Sequence, residues 1–314
     1  MAKFYFEEHQ HKARAYVEAL EKGGHWRTFR KIGAEFLFVG HDIGPKGVGH
    51  KPGLDFAHNN GVPVFIYPHS ARPNVMADTH DPWPHTRALF TISQGHKEVL
   101  QILGYPCPVE VCGWTYSEIR PFKSKVPGKK IKVLFAPIHP NANGYLNYED
   151  QELNRRVYNL LVNMPEVDLT VRHIKSLESN GIIRDYRGDK AKLVEGKPDG
   201  TTKEIEAADV VIGSYTLAHI TVALGKPLVM MAEQMRPHVG NTEGLIFYSK
   251  NWEKYRELMR YPFEIEDVLF SYDDALEMLT AAMSRSKAVS DWKRRFIGKP
   301  FDGGRFVEKV NSYL

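Results

Sequence analysis

The sequence predicts an α/β protein built from two Rossmann-like domains that face each other across a cleft. Three observations carry this. Short apolar runs alternate with segments of helical periodicity along the whole chain, the pattern of parallel sheets covered by helices. A Pro-, Gly- and Lys-rich stretch at 120–130, "RPFKSKVPGKK", separates one such series from a second and reads as a linker. The length, 314 residues, suits two domains of about 150 residues better than one. The boundaries that follow are 1–122 for an N-terminal domain and 123–290 for a C-terminal domain.

In the first series, "EFLFV" at 35–39, "VPVFIY" at 62–67, "ALFTIS" at 88–93 and the run at 109–112 read as strands. Helical patterns lie between them at 9–22, 54–60 and 95–103. The second series opens with "IKVLFAP", followed by a helix over 150–162 and the strand "VDLTVR". Next comes "EIEAADVVIGSYTLAHITVALGKPLVMM" at 204–231, a compact β-α-β unit. Val210, Val211 and Ile212 have the continuous apolar character of a parallel strand covered on both faces. Leu217, Ile220, Thr221 and Leu224 recur at helical spacing as one apolar stripe. Gly225 is placed to end that helix in the left-handed region, and Pro227 cannot continue it.

Composition excludes several classes. The chain is 42% apolar and 25% charged, ordinary for a globular protein, and no run of ~18 apolar residues is present to span a bilayer. The N-terminal "MAKFYFEEHQHKARAY" lacks the apolar core of a signal peptide. Cys107 and Cys112 are the only cysteines, too few for a disulfide framework or a four-cysteine zinc site. A cytoplasmic protein is expected. Its net charge of +4 is uneven: residues 1–132 carry +6 and the remainder −2. A basic front half points to an anionic partner or to a solvated surface.

Ligands of open α/β sheets bind beyond the carboxyl ends of the strands. Five polar segments fall on such ends: "GHDIGPKGVGHKPG", "PHSARP", "PIHPNANG", "RHIKS" and "GSYT". In the last, Ser214 and Thr216 sit where unpaired N–H groups open a helix, an anion site by backbone geometry and dipole. The same hydroxyls also suit simple helix capping.

The second half resembles the nucleotide-binding domain of GT-B glycosyltransferases, above all CDP-glycerol glycerophosphotransferases and UDP-GlcNAc 2-epimerases. "ADVVIGSYTLAHITVALGKPLVMM" is similar to the segment that sets a nucleotide diphosphate on a helix start. "VLFAPIHPNANG" resembles the first strand-loop of that domain, "TVRHIKS" its basic strand end, and "GKPLVMMAEQMRPH" the epimerase segment ending in Arg-Pro. "FDGGRFVEKVNSYL" resembles the glycerophosphotransferase tail, which implies a closing C-terminal helix within 291–314. "IYPHSARP" sits where those transferases carry a His-Gly pair. There are departures. His219, Ile220 and Thr221 replace the epimerase Gln-Glu-Glu run, Gly213 replaces the transferase aspartate, and no epimerase catalytic carboxylate segment is found. Transfer is therefore the leading expectation.

The resemblance implies a nucleotide-diphosphate sugar donor as substrate, no further cofactor, and a metal-independent reaction. Charge on the departing diphosphate is then met by Ser214, Tyr215 and Thr216 with their amides, by Arg172, His173 and Lys175, by His139, and by Arg236 of the Arg-Pro pair. For the acceptor base, His69 comes first because imidazole titrates near neutrality. Asp42, in a glycine-rich loop, comes second. Asp78, His80, Asp81 and His85 form a polar cluster whose spacing fits no metal motif. Trp83 and Trp114 suit either stacking on a ligand or packing.

The acceptor is open. Lys123, Lys125, Lys129 and Lys130 favour a polyanion, with modified bases in viral DNA as one class. A CDP-alditol or glycan-primer transferase, a UDP-sugar 2-epimerase and a non-catalytic nucleotide-sugar or nucleic-acid binding module are the competing readings. The oligomeric state is not legible.

Overall fold

The computed structural model describes residues 1–7, 14–28, 32–39, 56, 57, 59–68, 85–105, 107–116, 118–126, 128–138, 148–173, 177, 182, 184–231, 246–265, 271–284 and 286–314. The chain divides into two compact units. One comprises Met1–Ser117, Pro237–Arg260 and Arg294–Leu314; the other comprises Glu118–Arg236 and Tyr261–Lys293. The helices described here are α1 (Arg14–Lys22), α2 (Gln94–Ile102), α3 (Tyr148–Asn163), α4 (Thr201–Ala207), α5 (Tyr215–Ala223), α6 (Ile246–Met259), α7 (Tyr272–Met283), α8 (Lys287–Phe296) and α9 (Gly303–Tyr313).

The first unit is built on a six-stranded sheet. Its strands are β1 (Lys3–Glu7), β2 (Trp26–Thr28), β3 (Phe36–Val39), β4 (Val64–Ile66), β5 (Thr86–Thr91) and β6 (Val109–Val111), in the order β2-β1-β3-β4-β5-β6. Every pairing is parallel. The alternation of β3 shows why both faces need cover. Phe36 and Phe38 enter an aromatic cluster with Phe4, Phe65, Phe90 and Phe306, while Leu37 enters an aliphatic cluster with Val64, Leu89 and Leu100. Helices α1 and α9 cover the aromatic face through Tyr16, Leu20, Phe306 and Val310. Helix α9 opens at an N-cap, with the Asp302 side chain accepting the Arg305 N–H at 3.0 Å, while 291–296 belong to α8. The sequence reading missed β1 and β2, which lie in and beside a charged stretch without clear alternation.

The second unit carries β7 (Ile131–Phe135), β8 (Val167–His173), β9 (Ala191–Glu195), β10 (Val210–Gly213), β11 (Leu228–Met231) and β12 (Glu264–Ile265). Their order, β12-β11-β10-β7-β8-β9, is again all parallel. Read from the other edge it is the 3-2-1-4-5-6 order of a doubly wound sheet. Apolar residues of α3 and α7, among them Val157, Leu161, Ala275 and Leu279, pack on one face.

The segment read as a linker is not loose chain. The Arg120 N–H donates to the Ala223 carbonyl (2.7 Å), that of Lys123 to Gly225 (3.0 Å) and that of Lys125 to Met283 (3.0 Å). The strap thus lies on the C-terminal end of α5. Gly225 has φ +70°, and a Cβ there would fall 2.0 Å from the Pro121 carbonyl oxygen. Only glycine fits. Helix α5 also departs from the expected single stripe: Ala218 through Leu224 are all buried. A helix apolar on every side is an interior helix, and the strap and Trp292 of α8, whose ring stands 5.3 Å from His219, supply the extra cover.

Candidate functional site

In the second sheet β7 lies between β10 and β8. The chain runs from β7 outward through β8 and β9, then crosses to β10 on the other side of β7. The carboxyl ends of β7 and β10 therefore flank the topological switch point, where crossovers leave in opposite directions and a crevice forms. The register is tight there: Ile212 pairs with Phe135, and the Ala136 N–H donates to the Ile212 carbonyl at 2.8 Å. Gly213 follows beside Ala136; a Cβ built on it would sit 3.5 Å from the Ala136 Cβ.

Ser214 comes next, at the N-cap of α5 with extended backbone (φ −129°, ψ −179°). It is buried, yet its hydroxyl makes no capping hydrogen bond. Three other N-cap side chains in this chain, Ser93, Ser271 and Asp302, do accept one. The first N–H groups of α5, from Tyr215 through Leu217, point out of the helix by construction, and no acidic residue occupies the first turn. Thr216 is half-buried at that end. The other end of α5 is held by cations and strap. The Lys293 ammonium donates to the carbonyls of Ala223 (3.0 Å) and Arg120, and burial lowers it to about 8. A positive group at the C-terminal carbonyls complements the helix dipole.

The loop leaving β7 is fixed from below. Asn154 of α3, fully buried, accepts the Ile138 N–H on Oδ1 at 2.7 Å and donates from Nδ2 to the Ile138 carbonyl at 2.8 Å. His139 follows directly and lies outside the described residues. The sequence reading passed over Asn154. Its signal was a lone carboxamide on the apolar stripe Leu153, Val157, Tyr158, Leu161.

The end of β8 is arranged otherwise. Arg172 is buried, and its guanidinium pairs with Glu204 through Nε while donating to the Thr201 hydroxyl (2.9 Å) and the Lys197 carbonyl (3.3 Å). A Cβ on Gly196 would lie 2.6 Å from its Cζ. The charge expected to face a diphosphate is thus engaged with α4 and the turn before it. His173 is half-buried, and its carbonyl accepts the Gly196 N–H at 2.6 Å. Lys175 lies outside the described residues.

The remaining candidates divide the same way. Asp42, shortly after β3, His69, shortly after β4, and Arg236 lie outside the described residues, as do Asp78, His80, Asp81 and Trp83. The Tyr215 side chain does too. Trp114 is buried, with its ring 5.3 Å from that of Tyr116. Of the four lysines, Lys123, Lys129 and Lys130 are exposed. Lys125 is 3.0 Å from Asp209, whose other oxygen accepts the Lys132 N–H at 3.0 Å. Burial works against the Asp209 charge, but these partners hold its carboxyl below the usual range. Among the described residues no helix is long and apolar enough to cross a membrane, and both cysteines are buried and outside any disulfide.

No protein-family profile and no curated protein sequence matches the chain. Solved structures do. MnaA of S. aureus, determined with UDP, aligns over 100% of this chain and 97% of its own with a TM-score of 0.61 at 14% identity. MurG of Acinetobacter baumannii aligns over 99% of both chains (TM-score 0.52, 12% identity). The spinosyn rhamnosyltransferase SpnG, complexed with thymidine diphosphate, aligns over 96% of this chain and 79% of its own (TM-score 0.54, 12% identity). At such identities the likeness speaks for fold. The two six-stranded parallel sheets with flanking helices are the two Rossmann-like domains of the GT-B architecture shared by glycosyltransferases and UDP-GlcNAc 2-epimerases.

Proposed function

We propose that the protein is a glycosyltransferase that takes its sugar from a nucleotide-diphosphate donor, with the diphosphate seated on the N-terminus of α5. One observation carries this reading. At the switch point of a sheet with the 3-2-1-4-5-6 order, the buried Ser214 leaves its helix uncapped. The amides of Tyr215, Thr216 and Leu217 with the Ser214 and Thr216 hydroxyls then form a donor set for an anion. Two structures of the same fold were determined with UDP and thymidine diphosphate, which supports the choice of ligand class. In this reading His139, His173, Lys175 and Arg236 surround the donor. Charge relief comes from backbone dipoles and basic side chains without a metal.

His69 serves as acceptor base, with Asp42 as the second choice. A polyanionic acceptor is favoured by the exposed Lys123, Lys129 and Lys130, and DNA bearing hydroxymethylated bases is the class to assay first, beside glycan primers. Epimerisation is the weaker reading, because Ile220 and Thr221 stand where the epimerase helix carries its two glutamates, and the preceding His219 packs against Trp292.

Thermal shift with UDP-, GDP-, CDP- and TDP-sugars tests the donor. A ligand at 100 times its Kd adds about 2.7 kcal/mol of stability. A panel with no shift removes the reading. Turnover of a bound sugar without an acceptor, to its 2-epimer, would replace transfer by epimerisation. Binding of duplex DNA that weakens steeply with salt supports the polyanion; binding absent at low salt leaves a glycan or small acceptor.

A further inference from the structure

We infer that Asn154 is a positioning residue of the candidate donor site, holding the chain beyond β7 against the start of α5. The inference rests on the donor reading above. The β7–β10 ladder ends with the Ala136 N–H on the Ile212 carbonyl. Ile138, fully buried and beyond the end of β7, has no ladder partner among the described residues, and the Asn154 carboxamide supplies it with one donor and one acceptor, at 2.8 and 2.7 Å. A carboxamide carries the same two groups as a peptide bond, so from the side of a helix it satisfies both main-chain groups of Ile138 just past the end of the strand.

Packing alone does not explain the residue. On a stripe with Leu153, Val157 and Leu161, an apolar side chain fills the space without the desolvation cost of burying an amide. Both of these carboxamide bonds go to a single loop residue, and that residue precedes His139 in the chain. Gly213 stands beside Ala136 on the same edge, so the loop held by Asn154 and the turn into α5 are neighbours. Helix α3 is anchored on the sheet by its apolar face, which makes Asn154 a fixed reference for that loop.

The test compares Asn154→Leu, which is close in size and apolar, with Leu161→Ala, which weakens the same helix away from the loop. UDP and thymidine diphosphate affinities are measured by calorimetry at a temperature where each variant is folded. Exchange of the Ile138 amide is followed in parallel. Asn154→Leu is expected to weaken UDP binding about 10-fold or more, the scale of a small misplacement at a site, and to expose the Ile138 amide to exchange. Leu161→Ala is expected to lower Tm and keep UDP affinity. Should Asn154→Leu fail to fold, Asn154→Asp retains one of the two bonds and is expected to lose part of the affinity. Wild-type affinity in the Asn154 variants, or an equal loss in Leu161→Ala, overturns the inference alone. A wild-type protein that binds neither nucleotide overturns the donor reading and the inference with it.

Discussion

The carboxyl ends of β8 and β10 carry similar promise in sequence, "RHIKS" and "GSYT", and the folded chain treats them in opposite ways. At β8 the charged group is turned inward: Arg172 is buried and paired with Glu204 and Thr201. At β10 no charge is present, yet a helix begins with an N-cap hydroxyl that makes no capping bond. A formal charge in a sequence says little about a ligand when a carboxylate two elements later can neutralise it. Backbone N–H groups at a helix start carry no such risk, because their direction is fixed by the helix itself.

The comparison breaks most readily at β8. Arg172→Met should destabilise the protein by about 2–4 kcal/mol, since it leaves the Glu204 carboxylate without its cation. Chemical denaturation measures it. The double variant Arg172→Met/Glu204→Leu should recover most of the loss, whereas a role in ligand binding would leave UDP affinity low in both variants. Gly196→Ala presses a methyl into the guanidinium and should cost about 1–3 kcal/mol by overpacking.

The β10 end predicts the reverse balance. Ser214→Ala should change stability by less than about 0.5 kcal/mol, below the ~1 kcal/mol usual for a lost N-cap, because no capping bond exists to lose. Its UDP affinity should nonetheless fall, and calorimetry beside denaturation separates the two quantities. A stability loss of normal N-cap size with unchanged affinity would return Ser214 to the role of an ordinary cap.

How much of this was legible in the sequence follows from where each signal is local. The β-α-β unit could be read because the run Val210 to Ile212, the turn, Gly225 and Pro227 each act within a few residues. Gly225 takes the left-handed conformation for the reason its position implied. The fate of Arg172 could not be read, because its partner Glu204 lies on another element and only the fold joins them. Asn154 was visible as a polar residue on an apolar stripe, but its partner Ile138 is a backbone group with no sequence signature. The attachment of the segment read as a linker was not legible for a related reason. Its Pro, Gly and Lys content reports exposure, while its attachment to α5 runs through main-chain bonds that composition does not record.

The smallest expected effect concerns the far end of α5. Burial lowers the Lys293 ammonium from its ordinary value of 10.5 to about 8. Between those values the unfolded chain binds more protons than the folded one, so this group makes stability rise as pH increases from about 8 toward 10.5. Lys293→Met should flatten that rise, as read from denaturation midpoints across the window. A slope unchanged by the substitution would show that the Lys293 ammonium is not the group behind the rise.

The central claim, that a nucleoside diphosphate rests on the start of α5, is tested most directly by titrating UDP into isotope-labelled protein and following backbone amides. The account predicts that the largest shifts fall on Tyr215, Thr216 and Leu217 and saturate together, with the Arg172 amide little changed. Saturable binding that leaves those three amides unmoved, or that moves the end of β8 instead, would contradict it.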